Sequence, residues 1–298
     1  MVRKNKIKVS KGDLVFDFCI NLFAILILVV ILYPLIFVLS ASFSDPEYVL
    51  NGKVRLLPKG FTIEPYKMVF ENSEIWTGYR NSIIYTVLGT AISITMTICL
   101  AYPLSRKDMP HRRMLTLIIL FTMYFNGGLI PTYLLVRDLH LYNTMWAVIL
   151  PVAINTYNFI VAKTFFENSI PKEMYESASI DGAGTFRTLL SIVLPLSSSI
   201  IAVLILYYAV DYWNAYFNAL IYLNNEKLFP LQIILRNILL IEQTEQMGSN
   251  SFGMGEKIKM AEAIKYSVIV VSSVPVIIIY PFVQKNFVKG VMIGAVKG

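Results

Sequence analysis

The sequence predicts an all-α protein that crosses a membrane six times. Of its 298 residues, 56% are hydrophobic and 15% are charged, whereas a soluble domain has about 45–50% and about 25%. The apolar residues are gathered in runs of about 20 or more, the length that a helix needs to cross a hydrocarbon core of about 30 Å. Both cysteines, Cys19 and Cys99, lie inside such runs. A soluble enzyme, a disulfide framework and a zinc site are therefore all disfavoured.

The apolar runs define the predicted spans in chain order. They are Phe16–Leu39, Ile83–Leu104, Met114–Val136, Trp146–Phe165, Leu196–Tyr222 and Tyr266–Val283. The first run follows a basic start and is well over the about 7–15 residues of a signal-peptide core, so we expect a retained anchor. In the third run, Asn126-Gly127-Gly128 with Pro131 predicts a loss of helix order. Prolines elsewhere in the spans permit bends, although proline is also generally commoner in membrane helices.

Lysine and arginine counts predict the orientation of these spans. The connecting segments on the side of the N-terminus hold 15 of the 26 Lys and Arg residues, and those on the other side hold 11. The positive-inside rule then places both termini in the cytoplasm, and the short basic loop Ser105–Arg113 supports this most directly. We expect a cytoplasmic segment at 1–12, a membrane domain at 13–285 and a cytoplasmic tail at 286–298. The net charge of +7 fits loops beside anionic lipid, and nothing favours nucleic acid.

A polar interval at 167–195 separates the fourth and fifth spans and reads as two short helices. Ser169 is a predicted cap for the first helix with Pro171 in its first turn, and Asp181 is a predicted cap for the second. Gly182 lacks side-chain bulk where the chain turns and where another backbone could approach. An apolar stripe at helical spacing follows, formed by Phe186, Leu189, Leu190 and Val193. The interval is either a rigid projection that fits a groove on a soluble partner or an amphipathic loop packed under the bundle.

A polar stripe in the fifth span is the candidate solute path. At spacings of four, three and four residues, a continuous helix would place on one face Tyr207, Asp211, Asn214 and Asn218. An ionisable group inside a span often lies on such a path. Alternatively, Asp211 is solvated near the interface or paired with a neighbouring subunit.

Other polar and aromatic residues near this stripe have two interpretations each. Sugar stacking or an interfacial aromatic belt would explain Tyr208, Tyr212, Trp213 and Tyr216. In the fourth span, Asn155 and Asn158 could bind sugar hydroxyls or join helices, and the second interpretation is favoured.

Several motifs carry a resemblance to a known family. Glu176-Ser177-Ala178, Asp181-Gly182-Ala183 and Ile192–Pro195 closely resemble the EAA loop of inner-membrane subunits of binding-protein-dependent ABC importers, with Ser177 in place of the first alanine. The run Gln284–Gly298 resembles the tail of MalG-like subunits of carbohydrate importers. Ala101–Arg106 and Asn126–Tyr133 resemble the LplC-type branch, which is associated with oligo- and polysaccharide uptake.

The resemblance implies a type I ABC importer permease fold in the bacterial cell membrane and a set of contact residues. Residues implied in docking a cytoplasmic ATPase are Glu176, Ser177, Ala178, Asp181, Gly182, Ala183, Leu194 and Pro195. A secondary contact of the tail is implied for Gly294, Ala295, Val296, Lys297 and Gly298.

The resemblance also implies the partners. They are a second, homologous permease that forms a heterodimer with this chain, two copies of the ATPase, an extracytoplasmic solute-binding protein and a carbohydrate, which we expect to be an oligosaccharide.

Nothing in the sequence supplies a catalytic, metal or nucleotide site. Gly253–Lys257 is too short and wrongly spaced for a P-loop, so we expect ATP and Mg²⁺ on the partner ATPase and no cofactor in this chain. His111 and His140 lack companion ligands. An amino-acid or peptide importer is the alternative within the class. An ion-coupled secondary transporter is a further alternative, with Asp211 as its one supporting residue.

Overall fold

The computed structural model describes residues 10–247, 264–279 and 281, and within them the regular structure is helical. The α-helices α1 to α15 are, in chain order, Lys11–Ser42, Pro46–Leu50, Glu64–Glu71, Ser73–Ser105, Arg112–Tyr124, Leu129–Asp138, Met145–Ile149, Thr156–Ser169, Lys172–Ile180, Thr185–Thr188, Leu194–Leu196, Ser198–Trp213, Phe217–Tyr222, Leu231–Met247 and Ile264–Ile279. Short 3₁₀ segments lie at Leu150–Val152 and Glu226–Leu228, and a π-helical segment lies at Leu189–Val193. The all-α prediction is confirmed.

In the described part of the chain, two helices, α1 and α4, are long and apolar enough to cross a membrane unbroken. Three further pairs meet the same test when each bent pair counts as one span: α5 with α6 at 111°, Met145–Val152 with α8 at 50°, and Thr185–Leu196 with α12 at 82°. The sixth predicted span corresponds to α15, which is shorter, and the residues beyond it that would complete that span lie mostly outside the described part of the chain. The count of six therefore stays a prediction.

Polar first turns extend the two unbroken helices beyond their apolar runs. Ser10 caps α1 in a capping box with Asp13, and Asn72 accepts a hydrogen bond from the Glu74 N–H at the start of α4. Helix α4 thus begins ten residues before the predicted span, because side-chain capping satisfies its first N–H groups outside the apolar region.

The helix breaks follow local chemistry in two of the three bent pairs. Helix α5 ends before Asn126-Gly127-Gly128, as predicted, and Gly128 has a φ of +84°. The bend between α7 and α8 follows Pro151, and the Asn155 side chain then caps α8. In the fifth predicted span, one helix over Leu196–Tyr222 is wrong, because α12 ends at Trp213 and α13 is a separate helix.

The described residues divide into two compact units, one formed by 10–71 with 238–247 and 264–271, and the other by 72–237 with 272–279 and 281. In the first unit, the segment after α1 folds back through side-chain contacts. Ser42 Oγ lies 2.8 Å from the Tyr66 hydroxyl, and the Phe43 ring stacks on Phe61 and tilts against Tyr66.

The second unit has its core where α4 packs along α12 and α8. Small residues at intervals of four on α4, namely Gly89, Ser93 and Thr97, face two large tyrosines of α12. Tyr212 Oη lies 2.9 Å from Ser93 Oγ, and Tyr208 Oη lies 2.7 Å from Thr97 Oγ1. Close approach of helices over small residues is typical of membrane proteins.

Tyr208, Tyr212 and Trp213 are too deeply buried in this chain to stack on a sugar or to form an interfacial aromatic belt. Tyr208 is 1% exposed and Tyr212 is 3% exposed, and Trp213 is also buried, with its indole N–H donating to the Ser272 carbonyl. Both sequence interpretations are wrong for these three residues, which are part of the core. Tyr216 is exposed and keeps either interpretation.

Candidate functional site

Helix α9 forms the first half of the interval 167–195, which is the predicted coupling loop to the ATPase. The two ends of α9 differ from the prediction. Ser169 belongs to α8, and Pro171 occupies the position before α9 without a side-chain cap, so Ser169 is not the cap. Asp181 ends α9 instead of starting the next helix, because α10 follows Gly184. Both predicted caps are wrong, because each helix begins after a residue without a capping side chain, Pro171 for α9 and Gly184 for α10.

A Schellman motif closes α9 at Gly182. The N–H of Ala183 donates to the Ala178 carbonyl at 2.8 Å, and the N–H of Gly182 donates to the Ser179 carbonyl at 3.1 Å. This motif needs a residue with left-handed backbone, which glycine adopts without steric cost, and φ of Gly182 is +69°. Apart from the two chain neighbours of Gly182, no atom of the described residues lies within 4 Å of a Cβ built there. The predicted turn is confirmed, and the space beside it is open.

The motif residues divide between one buried anchor and an exposed surface. Ala178 is buried, and the exposed residues are Glu176, Ser177, Asp181 and Gly182, with Ala183 half-buried. Helix α9 therefore presents a polar end to solvent while one small residue fixes it to the rest of the chain.

The second half of the loop carries less of an apolar stripe than predicted. Leu189 and Val193 are buried in the core, but Phe186 and Leu190 are exposed. The π-helical segment Leu189–Val193 changes the angular spacing of the side chains, so an interval counted for an α-helix does not hold here. Leu194 is half-buried and Pro195 is exposed, just before the bend at Ser197.

A cluster around Arg106 links the end of α4 to α9, and the sequence prediction missed it. Arg106 makes a bidentate pair with Asp108 at 2.7 and 2.9 Å, and its guanidinium lies 5.3 Å from the centre of the Tyr175 ring. It also donates to the Tyr102 hydroxyl at 3.4 Å. A planar guanidinium makes both kinds of contact at once, which an ammonium does not.

The electrostatics of this cluster follow from those contacts. The hydrogen bonds from Arg106 hold the pKa of the Asp108 carboxyl below its usual value, and the same bonds raise the pKa of Arg106. Burial raises the pKa of the Tyr175 hydroxyl to about 12. All three groups therefore keep their charge state throughout the physiological pH range. Arg106 lies in a motif already matched to the family, but its contact with Tyr175, 69 positions later, has no local signal.

The cluster lines a cleft of about 560 Å³ between the basic loop and the start of α9. The residues of the cleft from the basic loop include Lys107 and Arg112, and those from the coupling loop include Lys172 and Glu176. The two segments that the sequence placed in the cytoplasm thus lie together.

The predicted solute path does not form one helical face. Tyr207 and Asp211 lie one turn apart on α12, but Asn214 ends that helix and donates to the Val210 carbonyl at 2.9 Å, and Asn218 belongs to α13. The single-face geometry is wrong for the last two residues because the helix stops at Trp213. The Asp211 carboxylate is exposed and forms no ion pair within the described residues, so both interpretations of it stay open.

Asn155 and Asn158 lie at the start of α8, in the fourth predicted span. The Asn155 side chain accepts the N–H groups of Tyr157 and Asn158 at the start of α8, and Asn158 is 2% exposed. The Asn155 side chain therefore caps its own helix instead of joining two helices, and for the buried Asn158 the favoured interpretation, helix joining, stays a prediction. The tail residues 294–298 lie outside the described part of the chain.

The helical fold, with bent apolar helix pairs and the exposed helix α9 between two of them, is that of an integral membrane protein. A family model described as "Binding-protein-dependent transport system inner membrane component" matches residues 7–293, and the chain belongs to this family. It is consequently a multi-pass membrane transport subunit and not an enzyme.

Individual relatives and a solved structure agree with this assignment. The polygalacturonan/rhamnogalacturonan transport system permease protein YtcP of Bacillus subtilis is 41% identical, over 95% of this chain and 98% of the relative. Protein LplC of the same organism is 38% identical, over 97% of each chain. A crystal structure of a bacterial ABC transporter involved in import of the acidic polysaccharide alginate contains a similar chain, with a TM-score of 0.85 and 33% identity, over 95% of this chain and 100% of that one.

Proposed function

We propose that this chain is a permease subunit of an ATP-driven carbohydrate importer and moves its solute by alternating access. It would pair with a second, homologous permease, two copies of a cytoplasmic ATPase that binds ATP and Mg²⁺, and an extracytoplasmic solute-binding protein. Both termini would be cytoplasmic. The observation that carries the proposal is α9, a short helix closed by a Schellman motif, with Glu176, Asp181 and Gly182 exposed beside open space.

The geometry of α9 explains how closure of an ATPase pair would do work on the membrane helices. A displacement is transmitted only through an element that does not unravel, and the end of α9 is fixed by two backbone hydrogen bonds. Arg106 adds a second connection, because its contact with Tyr175 joins α9 to the end of α4. Docking in a groove on the ATPase would therefore move α9 and α4 together.

The test is recovery of partners from membranes with Gly182→Glu, which puts a charged side chain into the open space. We expect the wild type to bring down an ATPase and a second permease, and the variant to lose the ATPase selectively. Gly52→Glu is the matched control, since Gly52 has a similar φ of +64° and equally open surroundings but lies outside the coupling loop. A chain that purifies alone and moves solute without ATP would instead support a secondary transporter.

For the solute, we propose an oligosaccharide that contains uronic acid. The names of the YtcP relative and of the alginate transporter supply this class. Asp211 gives the proposal a sharp test, because an exposed carboxylate on the path would repel an anionic sugar. If Asp211 lies on the path, Asp211→Asn should raise uptake of an oligogalacturonate relative to that of a neutral oligosaccharide, with assembly and basal ATP hydrolysis unchanged.

The outcomes of the uptake experiment separate the two parts of the proposal. If the ratio of oligogalacturonate uptake to neutral oligosaccharide uptake is the same in wild type and in Asp211→Asn, Asp211 does not lie on the path. Uptake of neutral oligosaccharides alone would overturn the uronic-acid class while leaving the carbohydrate importer in place. Uptake of amino acids or peptides instead of sugars would overturn the carbohydrate assignment.

A further inference from the structure

A second, smaller cleft of about 290 Å³ lies between α5 and α8 and shares Arg112 and Glu167 with the cleft beside α9. Its lining contains three basic residues, one acidic residue, one threonine and one leucine. They are Arg112, Arg113, Thr116, Leu117, Lys163 and Glu167. The coupling mechanism proposed above does not use this cleft. We name it the α5–α8 groove.

The charges of the α5–α8 groove are unbalanced. Three cations, Arg112, Arg113 and Lys163, face one carboxylate, which leaves two positive charges. Glu167 Oε1 accepts from Lys163 at 2.8 Å and from Arg112 at 3.3 Å, so one carboxylate fixes two cations in place. The Lys163 side chain is only 16% exposed, so water screens its charge less and its attraction to an anion is stronger than at an open surface. Among the described residues, Arg113 has no ion-pair partner.

The helix that carries these arginines continues as an exposed apolar surface. In the two turns that follow, the large exposed side chains of α5 include Met114, Leu117, Ile118 and Phe121. The groove therefore lies where a basic loop meets a helix that is apolar enough to lie in the membrane. A phospholipid fits both surfaces, because its phosphate group can bind the arginines while its acyl chains lie along the apolar side chains of α5.

We propose that the α5–α8 groove binds the phosphodiester headgroup of an anionic phospholipid, with Arg113 as a direct phosphate contact. Basic clefts between membrane helices on the cytoplasmic side are suited to such headgroups. Arg112 and Lys163, held by Glu167, form the fixed part of the site, and Arg113 completes it when the lipid is present. This inference goes beyond the proposed function and does not depend on which solute is transported.

The experiment measures retention of phosphatidylglycerol by the purified importer complex after exchange from mixed vesicles of phosphatidylcholine and phosphatidylglycerol into detergent. Native mass spectrometry counts the lipids that remain bound. Arg113→Gln should reduce retention of phosphatidylglycerol about fivefold, the loss expected for one basic contact with an anionic leaflet. Lys107→Gln is the matched control, because it removes the same charge from the same loop but lies outside the groove. Arg113 has no ion pair to lose, so the folded complex should form normally.

Each outcome supports the assignment or overturns it. Loss in Arg113→Gln with retention in Lys107→Gln supports a lipid in the groove. Equal loss in both variants, or no retention by the wild type, overturns a specific site. Displacement of the lipid by inorganic phosphate at equal concentration would assign the groove to a soluble phosphate. Loss of the ATPase or the second permease from Arg113→Gln would assign it to a protein contact, and the lipid proposal would fail.

Discussion

The packing of Gly89 against Tyr212 gives a prediction about the stability of the α4–α12 contact. A Cβ built at Gly89 would lie 2.6 Å from Cζ of Tyr212 and 2.7 Å from both Cε atoms. The added methyl group of Gly89→Ala would thus meet the ring itself and not the end of a flexible chain. Tyr212 has little freedom to move, because its hydroxyl donates to the Ile149 carbonyl at 3.1 Å and accepts from Ser93.

The magnitude follows from three contributions. Overpacking of a close-packed site costs about 1–3 kcal/mol. Two hydrogen bonds of the Tyr212 hydroxyl would be lost at about 0.6 kcal/mol each, the average for polar contacts between membrane helices. Alanine gains about 1 kcal/mol over glycine as a helix residue, which offsets part of this cost. We therefore expect Gly89→Ala to destabilise the protein by about 1–3 kcal/mol.

The assay is the midpoint of thermal unfolding of the purified complex, with two controls. Gly12→Ala, where the nearest atom to the new Cβ is Ser10 Oγ at 3.8 Å, should leave the midpoint unchanged or raise it. In a Tyr212→Ala background the ring is absent, so Gly89→Ala should cost nothing further, and a double-mutant cycle gives the coupling directly.

Two results would refute this reasoning. An unchanged midpoint for Gly89→Ala would mean that the ring does not lie over Gly89. A full cost that persists in the Tyr212→Ala background would mean that the strain arises from a neighbour other than this ring.

The remaining predictions concern the coupling loop and one buried hydroxyl. Gly182→Ala should reduce ATPase recovery whereas Gly182→Asn should retain most of it, because asparagine tolerates the left-handed backbone; equal loss in both would make side-chain bulk the cause. Arg106→Lys should lower ATP-dependent uptake several-fold through loss of the bidentate pair and the Tyr175 contact, while Lys107→Arg does not; normal uptake in Arg106→Lys would contradict the link between α4 and α9. Ser197→Ala should leave the thermal midpoint unchanged or higher, because the Ser197 hydroxyl is buried without a hydrogen-bond partner among the described residues; a loss as large as that of Ser93→Ala would show a partner for Ser197.

The features that could be predicted from the sequence are those that depend on neighbouring residues. Apolar runs predicted α1 and most of α4 because the length of a membrane helix is set by the bilayer. The break at Asn126-Gly127-Gly128 was predictable because these residues and Pro131 disfavour a helix wherever they occur. Gly182 was predictable as a turn for the same reason.

The features that could not be predicted depend on distant residues. The break after Trp213 contains Asn214, Ala215 and Tyr216, and no glycine or proline marks it. The prediction assumed one continuous helix and therefore placed Asn214 and Asn218 on the same face as Tyr207 and Asp211, which is wrong. The burial of Tyr208 and Tyr212 depends on small residues of α4 more than 100 positions earlier, and one sequence does not show which helices are neighbours.

The tyrosine hydroxyls of α12 also set an order for membrane insertion. Tyr212 donates to the carbonyl of Ile149, and Tyr208 accepts the N–H of Asn155, at the two sides of the bend between α7 and α8. The tyrosines follow these backbone groups by 63 and 53 residues, so the ribosome synthesises the bend well before the groups that complete its hydrogen bonds. Because unpaired backbone groups are costly in lipid, we expect the bend between α7 and α8 to reach its final form only after α12 has entered the membrane beside it.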